Sequence, residues 1–296
     1  MATYPFLQVD AFTDRPLGGN PCAVLLDSDD LDDDSMLAIA KENNLSETAF
    51  VRTSANAHFA ARYFTPAVEI PFAGHPTIAT VYALIDAGKI SLTSEVTRIS
   101  LELKVGIIPI DIYSSAGMVQ RIVMTQNKPQ FLTIHDPDRV MPVFGLTPDD
   151  LLPGAVIQTV STGTPQLMLP LKDHASLRKA LIYIPHYTEL RSRSDFFSSH
   201  LFCLQGATSA GHTFARHLDI PPDLPEDPFT GSATGGMAAY LWRYGWLDTP
   251  GFIAEQGHWM SRPGHAWVEV LGPREDIQAV KVGGSAVTVL RGTYSL

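Results

Sequence analysis

Short apolar runs separated by turn residues fill most of the first half of the chain. Segments 4–12, 20–27, 47–53 and 57–65 are rich in Val, Phe, Tyr and Ala and are broken by Gly, Pro, Asn or Asp, which predicts strands. LDDDSMLAIAKEN (31–43) has helical spacing and an acidic first turn instead. Segments 94–113 and 118–129 alternate again, as antiparallel strands do. Two stretches depart from both patterns: PTIATVYALIDAG (76–88) and ATGGMAAYLWRYG (233–245) are apolar on nearly every side. A surface helix is not built that way, so each predicts a helix enclosed by the strands around it. Gly88 and Gly245 are placed to stop these helices. Ala79, Ala83, Gly235, Gly236 and Ala238 would let a sheet wrap closely. A glycine inside a helix costs about 1 kcal/mol against alanine, so Gly235 and Gly236 predict the tight approach of another backbone.

The loops before those helices repeat. EIPFAGHPT (69–77) and EDPFTGSAT (226–234) match at Glu69 and Glu226, Pro71 and Pro228, Phe72 and Phe229, Gly74 and Gly231, and Thr77 and Thr234, always 157 positions apart. The offset continues to Leu84 with Leu241 and Gly88 with Gly245. STGTPQLMLPL (161–171) echoes GGNPCAVLL (18–26), each placing G-x-P before an apolar strand. LTPDDLL (146–152) predicts a helix start, with Thr147 as N-cap and Pro148 at the first helical position. The expected fold is α+β: two pseudo-symmetric domains, each a curled, mostly antiparallel sheet around a central helix. We place them at 1–120 and 121–296, with the change of domain inside 114–130 and the last strand able to return to the first domain.

Composition narrows the function. A chain of 296 residues, 45% apolar, can bury one large core or two ordinary ones. A net charge of −10 with no basic stripe argues against nucleic acid. DSDDLDDDS (27–35) is most simply a solvated loop and helix start. No run approaches the ~18 apolar residues of a membrane span, and MATYPFLQVDAF has no basic stretch followed by an apolar one. Cys22 and Cys203 form neither a disulfide framework nor a zinc pattern, and their apolar neighbours predict inert buried thiols. A cytoplasmic protein is expected.

In each repeat a glycine stands at a helix start, where free N–H groups and the helix dipole attract anions. Two such starts facing one cleft would suit a small carboxylate, although each glycine alone is also an ordinary turn residue. His75 could donate a hydrogen bond or carry a proton near neutral pH. Asp227 belongs to the second loop, and Ser232 is either a helix cap or a ligand group. Glu47, in NNLSETAF (43–50), precedes an apolar strand; partial burial would raise its pKa and suit it to proton transfer, whereas a solvated strand-edge glutamate would do nothing of the kind. The spacings of His212 with His217 and of His258 with His265 make no metal signature. There is no dinucleotide fingerprint, P-loop or G-x-S-x-G elbow, so no metal or cofactor is expected.

These residues carry a resemblance. VDAFTDRPLGGNPCAV (9–24), NLSETAFV (44–51), FTP and FAGHPT within 64–77, STGTP (161–165), EDPFTGSA (226–233) and QGHWMSRPG (256–264) occur in order, and VTVLRGTYSL closes the chain. Together they resemble the phenazine-biosynthesis PhzF-like isomerase family, with its diaminopimelate epimerase fold. The resemblance implies that Glu47 is the acid/base and that His75 and Asp227 join it in catalysis. It also implies that Asn20, Ser46, Gly74, Gly231 and Ser232 hold the substrate. The implied reaction moves a proton between carbons of a small carboxylated molecule, a ring in the phenazine pathway, without cofactor and in a homodimer. Related epimerases and proline racemases use two cysteines; here Ala73 precedes Gly74 and Pro228 lies near the other position, so that chemistry is absent. Pro76 departs from the family's usual small residue, a mild change in a first helical turn. The alternative is a binding or interaction protein of the same fold that has lost turnover.

Overall fold

The structure, a computed structural model, describes residues 2–296. It divides into two units: the described residues up to 125 with 282–296, and residues 126–281. The changeover falls at 125/126.

In the first unit, β1 (Thr3–Ala11) lies between antiparallel β2 (Asn20–Leu25) and the last strand of the chain (Ala286–Ser295). β2 runs parallel to β3 (Glu47–Arg52), and α1 (Asp33–Asn43) makes the crossover such a pairing requires. β3 is antiparallel to β4 (Phe59–Phe64). β4 carries the short β5 (Glu69–Ile70) and runs parallel to β6 (Val96–Leu103), with α2 (Gly74–Asp86) in the connection. β6, β7 (Gly106–Ser115) and β8 (Met118–Gln126) follow as an antiparallel meander.

The second unit repeats these directions one by one. β9 (Gln130–His135) is antiparallel to β10 (Ile157–Ser161), and β10 to β11 (Pro165–Pro170). β11 runs parallel to β12 (Ser198–Cys203), and β12 antiparallel to β13 (Thr213–Leu218). β13 carries the short β14 (Glu226–Asp227) and runs parallel to β15 (Gly251–Gln256), which is antiparallel to β16 (Gly264–Leu271). The chain ends with β17 (Ala279–Gly284) and β18, the strand already placed beside β1. Antiparallel pairings prevail, with parallel joins at the same two places in each unit.

α2 packs on β1, β2, β3 and β18 of its own unit. In the second unit the helix between β14 and β15, Gly231–Arg243, packs on β10, β11 and β16. Both helices are buried along almost their whole length, as their all-round apolar sequences require. Gly88 and Gly245 follow their ends with φ of +71° and +75°. A Cβ on Gly235 would lie 1.9 Å from Oε1 of Gln126, so what fills that space is a side chain and not the expected backbone. At Gly236 the neighbours are the Met168 methyl, 2.7 Å away, and the Val160 carbonyl.

The outer face of each sheet is covered too. In the first unit Met36, Ile39 and Ala40 of α1 join Tyr4, Leu25, Phe50 and Phe64 in one cluster. In the second unit short helices α3 (Pro137–Val140), α4 (His174–Lys179) and α5 (Ile184–Ser192) lay Val140, Leu177 and Tyr187 over Leu167, Leu169 and Leu201. α6 is then Gly231–Arg243. LTPDDLL gives only one 3₁₀ turn, Pro148–Asp150: Thr147 and Asp150 cap one another, and Leu151 is already extended. Among the described residues no helix is long and apolar enough to cross a membrane.

Candidate active site

Glu47 is the first residue of β3, in parallel register with Cys22 of β2. Asn44 ends α1 in the left-handed region, at φ +50°, and Leu45 and Ser46 carry the chain into the strand. The Glu47 side chain is 15% exposed and its Oε2 lies 3.1 Å from Nε2 of His75. His75, the second residue of α2, is 2% exposed. Its other nitrogen, Nδ1, is 2.9 Å from the amide nitrogen of Asn20, the first residue of β2. An amide nitrogen can only donate, so Nδ1 accepts and the ring proton sits on Nε2, toward Glu47. Burial pulls His75 down to about 3. It is therefore neutral at neutral pH, which corrects the expectation that it titrates there; the imidazolium would lose too much solvation. Gly19 makes the turn into Asn20: its φ is +51°, and a Cβ there would meet the Ala11 carbonyl oxygen at 2.0 Å. Ser46, beside Glu47, has a buried hydroxyl with no hydrogen-bond partner among the described residues. Gly74 begins α2, whose N-cap, Ala73, has no side chain that could cap it.

In the second unit Asp227 ends β14, directly opposite His217 of β13. The Thr230 hydroxyl donates to Oδ2 of Asp227. Gln256, buried, donates from Nε2 to the Asp227 carbonyl at 2.7 Å and accepts the Thr230 N–H at 3.2 Å. That side chain clamps the D-P-F-T turn at both ends. Ser232 is not a helix cap: it is the second residue of α6, and its Oγ accepts from Nε2 of Gln166 at 3.3 Å. Gln126 donates to the Gly231 carbonyl at 2.9 Å and accepts the Thr162 hydroxyl at 2.6 Å. These three glutamines and Thr162 shape the second loop, and the sequence reading missed all four. The signals were present: Thr162 lies in STGTP and Gln256 in QGHWMSRPG, and Gly235 leaves the room that Gln126 fills.

The structure thus links Asn20, His75 and Glu47 in one chain of contacts, flanked by Ser46 and Gly74. It gathers Asp227, Gly231 and Ser232 into one loop and helix start of the other unit. The two halves are not chemically equal. In the parallel joins Cys22 faces Glu47 and Gln166 faces Ser198, so a serine holds the place of the glutamate in the second unit. Ser232 likewise holds the place of His75. The N-caps Ala73 and Thr230 correspond, so Thr230 rather than Pro228 is the counterpart of Ala73; neither is a cysteine. Cys22 and Cys203 are both buried. Burial, with the Glu47 charge adding to it, pushes the Cys22 thiol well up, and burial raises Cys203 to about 11. Neither is a ready nucleophile.

This is the fold of epimerase-type isomerases. A hydroxyproline epimerase from Agrobacterium vitis shares it at 12% identity, with a TM-score of 0.72 over 99% of this chain and 93% of its own. More narrowly, the chain belongs to the family of phenazine biosynthesis-like proteins, which it matches over residues 9–292. A Bacillus anthracis protein of the PhzF family is 30% identical and superposes with a TM-score of 0.87 over 100% of both chains. The trans-2,3-dihydro-3-hydroxyanthranilate isomerase of Pseudomonas chlororaphis is 32% identical over 98% of this chain and 99% of its own. An uncharacterized isomerase of Bacillus subtilis, YfhB, is 34% identical over 89% of each chain. The protein is an isomerase.

Proposed function

We propose that the protein moves a proton between two carbons of a small, carboxylated, cyclic metabolite, with Glu47 as the carrier and no cofactor. The observation that carries this reading is the Asn20–His75–Glu47 chain, for which the second unit has no second carboxylate at the matching place. One base suffices for such a reaction. The Glu47 carboxylate takes the proton, the C–H electron pair moves into the conjugated system, and the same carboxyl returns the proton at another carbon. Substrate and product are isomers, so no electrons are gained or lost. Neutral His75, its Nε2 3.1 Å from Glu47 Oε2, does not compete for the proton, since its ring is held far below neutrality. Asp227, Gly231 and Ser232, with Ser46 and Gly74, are assigned to holding the substrate. A cytoplasmic homodimer belongs to the same reading, and sedimentation and cell fractionation check it.

The experiment uses trans-2,3-dihydro-3-hydroxyanthranilate as probe, because relatives of full length bear its name. Incubated in heavy water, it should gain deuterium at carbon. Glu47→Gln should cut that exchange by roughly 10²–10⁴-fold, the usual worth of a general base, while calorimetry shows little change in probe affinity. Full exchange by Glu47→Gln would remove the carrier role.

A further inference from the structure

The Q-G pair that opens QGHWMSRPG (256–264) lies against the turn that carries Asp227. Gln256 ends β15 with its side chain buried. Its amide can stand only one way round. The Thr230 N–H, a donor, is 3.2 Å from Oε1, and the Asp227 carbonyl, an acceptor, is 2.7 Å from Nε2. The same Nε2 reaches the Thr230 hydroxyl oxygen at 3.4 Å. With a donor on that side, the Thr230 hydrogen turns the other way, and the hydroxyl donates to Oδ2 of Asp227. Gly257 adds a backbone contact: its φ is +80°, and a Cβ there would run into the carbonyl oxygens of Pro228 and Arg262.

Thr230 is the N-cap of α6, a place where threonine ordinarily gives its oxygen to a free N–H of the first turn. It makes no such bond, and its hydroxyl is committed to the aspartate instead. A cap given up to hold a carboxylate marks that carboxylate as the group the turn is built around. We propose that Thr230 and Gln256 are positioning residues for Asp227, Gln256 fixing the turn and the direction of the Thr230 hydroxyl, and Thr230 holding one carboxylate oxygen so that the substrate meets the group in a single orientation. This rests on the assignment of Asp227 to substrate holding. A hydrogen bond to an ionised group is stronger than one between neutral groups. The hydroxyl therefore fixes Asp227 firmly while leaving its charge in place.

Carbon-13 spectra of the full-length protein read the Asp227 carboxyl directly. Loss of a hydroxyl donor favours the protonated acid. Its titration should therefore move to higher pH in Thr230→Val and in Gln256→Met, and stay in place in Thr230→Ser. Calorimetry and the exchange assay with trans-2,3-dihydro-3-hydroxyanthranilate report what the substrate feels. Thr230→Val should weaken probe affinity by about 10–100-fold, the scale of a hydrogen bond to an ionised group, with a much smaller fall in exchange at saturating probe. Thr230→Ser should stay within a few-fold of wild type on both. An Asp227 titration unmoved in Thr230→Val, or equal losses in Thr230→Val and Thr230→Ser, overturns the proposal. Thr230→Val is nearly isosteric and decides the matter alone should Gln256→Met fail to fold. An Asp227→Asn variant that binds and exchanges like wild type would remove the substrate-holding assignment, and with it the purpose of the brace, while the titration still decides the Thr230 bond.

Discussion

Asn20 does its work without touching the proton that moves. With its amide nitrogen on Nδ1, the ring of His75 has one tautomer to offer, and Glu47 meets an N–H rather than a lone pair. Asn20→Leu, close in size, should free the ring to exchange tautomers. We expect deuterium exchange on the probe to fall about 10–100-fold, the usual loss when a group that orients a ligating or reacting side chain is removed. The His75 Nε2–H signal should weaken in parallel. Full activity with an unaltered signal would show that Asn20 has no orienting role. The sequence made Asn20, Glu47 and His75 visible singly, because each sits in a short motif. What it could not show was their electrostatic state. Nothing in F-A-G-H-P-T says that the imidazole will be 2% exposed and held neutral.

Elements were legible in proportion to their burial on two sides. α2 and α6 stood out as all-round apolar helices, and β1 to β4 as short apolar runs bounded by turn residues. α3, α4 and α5 did not, because each is short and commits few residues to the core: Val140 in α3, Ser176 and Leu177 in α4, Tyr187 in α5. The outer face of the second unit was hidden for the same reason. Gly235 was legible as a demand for space, but its occupant, Gln126, lies more than a hundred residues away in sequence and could not be read. Gly235→Ala puts a methyl where the Gln126 amide oxygen now sits, which also disturbs its bonds to Gly231 and Thr162. Overpacking of this kind costs about 1–3 kcal/mol. It should appear as a lower urea midpoint, with Gly88→Ala, at a positive φ and with open space where a Cβ would stand, serving as a turn-only comparison. An unchanged midpoint would mean that Gln126 moves aside freely.

At the scale of the whole molecule, the buried histidines govern behaviour in acid. His75 and His217 are held at about 3, and His200 well below its ordinary value, all by desolvation. In the unfolded chain each returns to about 6.5. Folded values below unfolded ones mean stability that is present above pH 6.5 and lost as the pH falls toward 3. Asp219, raised to about 6 by burial, works the other way between about pH 6 and pH 4 and offsets one of the three protons. Net proton uptake on unfolding is therefore expected near pH 5, so stability should fall as the pH drops from 7 to 5. Urea titrations from pH 7 to pH 5 check it, and a flat profile would contradict the neutral state of these rings. One further feature concerns time rather than energy. β1 is sandwiched between β2 and β18, so the first unit needs residues from both ends of the chain, whereas the second is one continuous stretch. On the ribosome, at ~5–20 residues per second, the first 125 residues wait on the order of ten seconds or more for their closing strand. For that interval β1 has an open edge, and the unit translated first is the one finished last.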